Sequence, residues 1–229
     1  MARRRSVGFG PPDRFAVVTA STVDLSASRP RRPVLADRLS GAPATTATNA
    51  RTLRFAAEVA GVAAFTSLLA QVSFHIPGTP VPVTGQTFAV LLAAAAMGPL
   101  RGVLGQALYL VLGLIGLPVF SDGAHGWSYF VGSTFGFLLG FVLASAVVGR
   151  QARRGMDRKP DTVAASFLLG SALIYLPGVW WLSHHLGVSY GKAMELGVYP
   201  FLVGDVVKVA LAACLLPAAW RLLGERRAR

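Results

Sequence analysis

FLVGDVVKVALAACLL, Phe201 to Leu216, reads as most of a membrane helix, yet its first half carries Asp205 and Lys208. A charged side chain at the bilayer centre raises the insertion free energy by about 2.5–3.5 kcal/mol, so two in one helix need a partner, a water-filled cavity or a function. Three residues apart on a helix, they share a face and lie roughly 4.5 Å apart along the axis, close enough to pair. A structural pair explains why the helix tolerates them but not why they are there, since apolar residues would span as well. The other reading is a binding site, in which a lysine holds a carboxylate by a charge-assisted bond and an aspartate accepts N–H groups. The ligand so implied carries both groups on a compact apolar body.

Composition agrees that oil is the surrounding solvent. Hydrophobic residues make up 53% of the chain, charged residues only 14%, and mean hydropathy is +0.54, the profile of an integral membrane protein. The formal charge of +12 could suggest a nucleic-acid binder, but 20 of the 22 Lys and Arg lie before Phe55, at Arg101, between Arg150 and Lys159, or after Trp220. Positive charge collected beside apolar spans marks cytoplasmic flanks, so the lipid bilayer is the expected partner and nucleic acid is not. The single cysteine, Cys214, lies in an apolar run and offers no disulfide framework.

Six apolar spans are predicted at about 54–74, 86–99, 102–117, 131–149, 163–184 and 200–219, some short of the roughly 20 residues a bilayer needs. The second and third are split by GPLRG, Gly98 to Gly102, where Pro99 ends one helix and begins a tight hairpin. Alternating loops put the N-terminus, Arg101, the 150–161 loop and the C-terminus on one side; the opposite loops, 75–85, 118–130 and 185–199, hold only Lys192 among basic residues. The expected fold is therefore all-α, six transmembrane helices, N-in and C-in. Residues 1–52 read as a disordered basic tail, 53–222 as the membrane domain and 223–229 as a basic C-terminal tail. FAVVTA, Phe15 to Ala20, is too short for the apolar region of a signal peptide.

The first outer loop, HIPGTPVPVTGQTF, is stiffened by Pro77, Pro80 and Pro82 before Thr84, Gly85 and Gln86 open the next helix, which suits either a cap or a site. The second leads through Phe120, Trp127 and Tyr129 to Gly132, Gly136, Gly140 and Ala144, four apart on one face. Such a small-residue face permits close helix packing or the floor of a planar ligand pocket. Ala56, Ala60 and Ala64 make a similar stripe on the first span, either packing within the chain or docking another membrane protein. Glu58, four residues after Arg54, can be satisfied by local pairing. The histidines, His75, His125, His184 and His185, show no metal-ligand spacing, and no phosphate-binding Walker loop is present. No metal or other cofactor is expected, and energy from ATP would have to come from another polypeptide.

PVPVTGQTFAVLL, LYLVLGLIGLPVF, GSTFGFLLGF and PFLVGDVVK, in this order, resemble the BioY biotin-transporter family over roughly residues 53 to 220. These are the membrane-embedded substrate-binding S components of energy-coupling factor (ECF) transporters. The resemblance implies biotin captured from outside and no catalytic activity of the chain's own. It also implies a transmembrane coupling subunit and two cytosolic ATPase subunits as partners, in a bacterial-type inner cell membrane. It places Asp205 and Lys208 in the biotin pocket and Ala56, Ala60 and Ala64 against the coupling subunit. Gln86, Thr84, Thr134 and Tyr175 are further substrate-binding candidates, with Trp127 and Tyr129 from the aromatic loop. Where the family carries GPTGGY, this chain reads GSTFGF, Gly132 to Phe137, keeping Thr134 and two glycines but losing a proline, a glycine and a tyrosine hydroxyl. The alternatives are an S component for another small vitamin, a membrane enzyme using Asp205 or Lys208 in acid–base or covalent chemistry, and an assembly protein with a purely structural pair.

Overall fold

Apolar runs punctuated by Gly and Pro set the order of the helices. The computed structural model describes residues 32–39 and 48–225, and nearly all its regular structure is helical. A one-turn helix, α1 (Leu35–Leu39), precedes the long α2 (Thr48–Ala70). Two-residue strands β1 (Ser73–Phe74) and β2 (Val83–Thr84) pair antiparallel across the proline-rich loop, Ser73 opposite Thr84. Then come α3 (Gln86–Met97), α4 (Pro99–Leu114), the short α5 (Gly126–Phe130), α6 (Phe135–Ala152), α7 (Pro160–Leu186), α8 (Tyr190–Gly197) and α9 (Leu202–Glu225).

Four helical stretches among the described residues are long and apolar enough to cross a membrane: α2, α6, α7 and Tyr190–Gly224, which contains α8 and α9. The expected second and third spans correspond to α3 and α4, which are apolar but shorter. Gly98, at φ 83°, makes the turn between them, and Pro99 occupies the first turn of α4, where its missing N–H leaves no helical bond unmade. Two short helices, α5 and α8, fall in loops the sequence left without structure.

Close backbone approach organises the centre of the bundle. A Cβ on Gly136 would sit 2.2 Å from the Pro177 carbonyl oxygen, and one on Gly140 would sit 2.6 Å from Ile174 Cα, so α6 and α7 touch through their main chains. Ala144 is fully buried on the same row. The small-residue face of α6 is therefore a packing seam. Trp181 Nε1 on α7 donates to the Gly132 carbonyl at 2.8 Å and ties that seam to the loop before α6.

The expected tail divides. Residues 1–31 and 40–47 lie outside the described residues, as do 226–229 of the C-terminal tail. Residues 32–39, however, form an ordered turn: Val34, Leu35 and Ala36 are buried, and α1 packs on α3 and α9. Likewise α2 begins at Thr48, ahead of the expected span. Arginine- and proline-rich composition predicted disorder here because the apolar triplet finds its partners only in the assembled bundle.

Between α6 and α7, the buried Asp157 accepts from Trp220 Nε1 at 2.7 Å, and the Arg158 guanidinium lies 4.4 Å from the Trp220 ring centroid. Burial raises the Asp157 carboxyl above the ordinary carboxylate range, partly opposed by the Trp220 bond. The folded protein thus keeps a proton there that the unfolded chain has lost, and stability falls as pH rises through the window between the two values. Asp157→Asn retains an acceptor for Trp220 and is expected to flatten that dependence, measured as thermal unfolding in detergent from the ordinary aspartate value, about 3.9, upward. At the helix seam, Gly140→Ala is expected to lower stability by about 1–3 kcal/mol through overpacking. Gly61→Ala, where an added Cβ meets nothing within 4 Å, serves as the control without overpacking in the same melts and is expected to lose no stability.

Candidate functional site

The acid and the amine of α9 are one turn into that helix, and each is held by a different neighbouring helix. Lys208 Nζ donates to Thr87 Oγ1 on α3 at 2.7 Å and approaches Asp205 Oδ1 at 3.5 Å, the long limit of a hydrogen bond. The other Asp205 oxygen, Oδ2, accepts from the Tyr175 hydroxyl on α7. The side chains of Lys208 and Asp205 are only 16% and 10% exposed, so the chain Tyr175–Asp205–Lys208–Thr87 satisfies two charges away from bulk water. The pair expected from sequence is real, and its lysine lies nearer the α3 threonine than its own aspartate.

A second polar chain begins at the start of α3. Thr84 Oγ1 donates to Gln86 Oε1 at 2.9 Å and accepts from the Gln86 backbone N–H at 3.2 Å, fixing the side chain as the helix opens. Gln86 Nε2 in turn donates to the Tyr109 hydroxyl on α4. Tyr109, fully buried, meets Phe120 edge to face with centroids 5.5 Å apart, and Phe120 stacks on Tyr129 at 5.1 Å. Burial pushes the Tyr129 hydroxyl above its ordinary range, against the pull of hydrogen bonding to Thr134 and Ser121, so it stays a neutral donor at physiological pH.

These groups enclose one cavity. Its polar lining is Thr84, Gln86, Thr87, Tyr129, Thr134, Tyr175 and Lys208, and its apolar walls are Val81, Pro82, Phe137, Leu138, Phe141 and Phe201. Of the expected residues, Lys208, Gln86, Thr84, Tyr129, Thr134 and Tyr175 converge there, and Asp205 stands behind Tyr175 and Lys208. Trp127 does not join them: it is 67% exposed and stacks on Phe130 at 6.0 Å. On a helical turn, residues two apart point roughly 200° apart, so with Tyr129 facing inward Trp127 faces out.

Thr87, Phe137, Phe141 and Phe201 were not singled out from the sequence. Phe137 and Phe141 are four apart and each follows a seam glycine by one residue, a spacing that could have marked them. Thr87 follows Gln86 directly, but its role depends on α3 lying beside α9, which no local pattern states. Polar side chains from α3, α7, α9 and the adjoining loops, with aromatic walls, suit retention of a small ligand bearing an anionic or carbonyl oxygen and N–H groups.

On α2, Ala56, Ala60 and Ala64 are all exposed, while Val62, Ala63, Thr66 and Ala70 turn into the bundle. The alanine stripe therefore faces outward rather than packing within the chain.

The family model described as the BioY family matches residues 42–225. A probable biotin transporter BioY from Pyrococcus horikoshii is 39% identical over 167 residues, covering 73% of this chain and 94% of that protein. The biotin transporter BioY of Thermotoga maritima is 37% identical over 154 residues, covering 66% of this chain and 88% of that one. The crystal structure of an S-component for biotin from an ECF-type ABC transporter superposes with a TM-score of 0.68 over 77% of this chain and 95% of that chain. At 22% sequence identity, that likeness establishes the fold. With most of its length matched by the family model, and by relatives over most of their own length, the chain belongs to the BioY family.

Proposed function

We propose that the chain is the membrane-embedded biotin-binding S component of an ATP-driven ECF-type vitamin uptake transporter. The observation that carries this reading is the polar chain Tyr175–Asp205–Lys208–Thr87 at the edge of an aromatic cavity, in a protein whose relatives are named as biotin transporters. Biotin offers the matching chemistry: a carboxylate and a ureido carbonyl to accept from the ammonium that Asp205 holds in place, ureido N–H groups for the threonine and glutamine oxygens of the lining, and an apolar bicyclic body for Phe137, Phe141 and Phe201.

In this reading all six apolar helices cross, with α3 and α4, roughly 18 Å and 24 Å long, meeting a locally thinned bilayer. Arg54, Arg101, Arg150, Arg153, Arg158 and Lys159 then share the inner side, giving N-in and C-in. Lys208 lies near the start of α9 and Thr87 near the start of α3, so the cavity opens toward the outer loops and takes biotin from outside the cell. The membrane is then a bacterial-type inner membrane. Transport requires a transmembrane coupling subunit and two cytosolic ATPases, and the exposed stripe of Ala56, Ala60 and Ala64 is the flat face on which the coupling subunit docks.

Labelled-biotin retention by the purified full-length protein in detergent tests this directly. Lys208→Ala and Asp205→Ala are each expected to weaken binding by about 10- to 100-fold, the scale of a lost hydrogen bond to a charged group of roughly 1.5–3 kcal/mol. Thr87→Val is expected to cost about 2- to 10-fold, as for a neutral bond of roughly 0.5–1.5 kcal/mol. Absence of binding by the parent protein would sink the functional reading; parental affinity in both charge variants would remove the site. On the other face, Ala60→Leu should keep biotin affinity but lose co-purification with the coupling subunit, and intact co-purification would count against that docking face.

A further inference from the structure

We infer that residues 32–39 form a strap whose Asp37 positions, from the basic end of the bundle, the two helices that carry the polar edge of the pocket. This rests on the binding reading above and extends it to residues remote from the cavity.

The strap is fastened at several independent points. The Arg32 backbone N–H donates to the Arg153 carbonyl at 3.1 Å, and Arg158 Nη2 donates to the Pro33 carbonyl at 3.4 Å. Val34 is fully buried against the α3–α4 turn, where a Cβ on Gly98 would lie in ordinary contact, 3.5 Å, with Val34 Cγ1. Asp37 Oδ2 accepts the Val34 N–H at 3.2 Å, closing its own turn, and Asp37 Oδ1 accepts from Arg101 Nη1 at 2.8 Å. Arg153 Nη1 stands 3.9 Å from Asp37 Oδ2. Arg101 is itself braced, by Glu58 Oε2 at 2.6 Å and by the Met97 carbonyl at the end of α3 at 3.2 Å.

What gives the strap a bearing on the site is the identity of the helices beneath it. It packs on α3 and α9, the same two helices that Lys208 and Thr87 join at the pocket. Each helix is a stiff rod, and α3 is only 12 residues long, so its Met97 end and its Thr87 end move together. The pair is thus fastened twice, by an ammonium–hydroxyl bond at the cavity and by the strap at the opposite end. Freeing the strap lets α3 tilt against α9 and misplaces Thr87 relative to Lys208. Asp37 acts through those residues and is a positioning residue. The strap precedes residue 42, where the family match begins.

Linkage supplies a readout that a merely stabilising role would not move: if strap docking strengthens biotin binding, biotin must strengthen strap docking by the same factor. In full-length protein in detergent, with the exposed Cys214→Ser, the reporter Leu35→Cys is alkylated by a water-soluble maleimide with and without saturating biotin. Biotin is expected to slow alkylation. Asp37→Asn is expected to speed it and to weaken labelled-biotin binding by about fivefold or more, within the usual range of coupling between sites; Asp37→Glu should recover part of both. Val34→Ser, which loosens the strap without touching Arg101, is expected to act in the same direction if Asp37→Asn folds poorly. Equal alkylation in Asp37→Asn and parent, or faster alkylation with unchanged biotin affinity, would overturn the proposal. A parent protein that retains no biotin would instead overturn the binding reading, and is told apart because strap loosening still shows in the alkylation rate.

Discussion

An ammonium set among apolar helices must be held, and the way Lys208 is held organises the rest of the molecule. Its nearest partner, the Thr87 hydroxyl, comes from α3; its charge is balanced by Asp205 one turn earlier on α9; and Asp205 is tied by Tyr175 to α7. Three helices are drawn to one point because leaving either charge unsatisfied in low dielectric would be far more costly than any single hydrogen bond is worth. An ammonium has three N–H donors, and two are occupied by these contacts among the described residues, which leaves capacity for a guest.

The cavity wall and the helix seam are two sides of one helix. On α6, Gly136 and Gly140 meet the backbone of α7, and Phe137 and Phe141, one residue and about 100° further round, line the cavity. Close approach at the glycines brings Tyr175 of α7 to the rim beside Phe137, their rings 6.4 Å apart and nearly perpendicular. Packing and the cavity therefore share a cause: without the seam, neither the aromatic wall nor the tyrosine that orients Asp205 would be in reach.

The opposite end of the bundle solves the same electrostatic problem with excess positive charge. Arg101 is shared between Glu58 of α2 and Asp37 of the strap, and Asp157 is capped by Trp220 of α9. Asp37, Glu58 and Asp157 each bridge elements distant in sequence. The basic ends consequently tie the helix ends to one another.

Residues alone determined the solvent, the helical class, the glycine–proline hairpin at Gly98–Pro99, and a helix carrying Asp205 and Lys208 on one face, since composition, periodicity and i,i+3 spacing are local properties of a chain. They also marked Thr84, Gln86 and Tyr129 of the polar lining, because polar and aromatic residues stand out in an apolar background, while Thr134 and Tyr175 came with the family resemblance. Only the tertiary structure decided that Lys208 lies nearest Thr87, that Trp127 points away from the cavity, and that the alanine stripe faces outward while the glycine row packs inward. It also gave order to Val34–Asp37, whose composition reads as tail. Each of these depends on which helix lies beside which, and a contact between residues more than a hundred positions apart leaves no periodic trace in either segment.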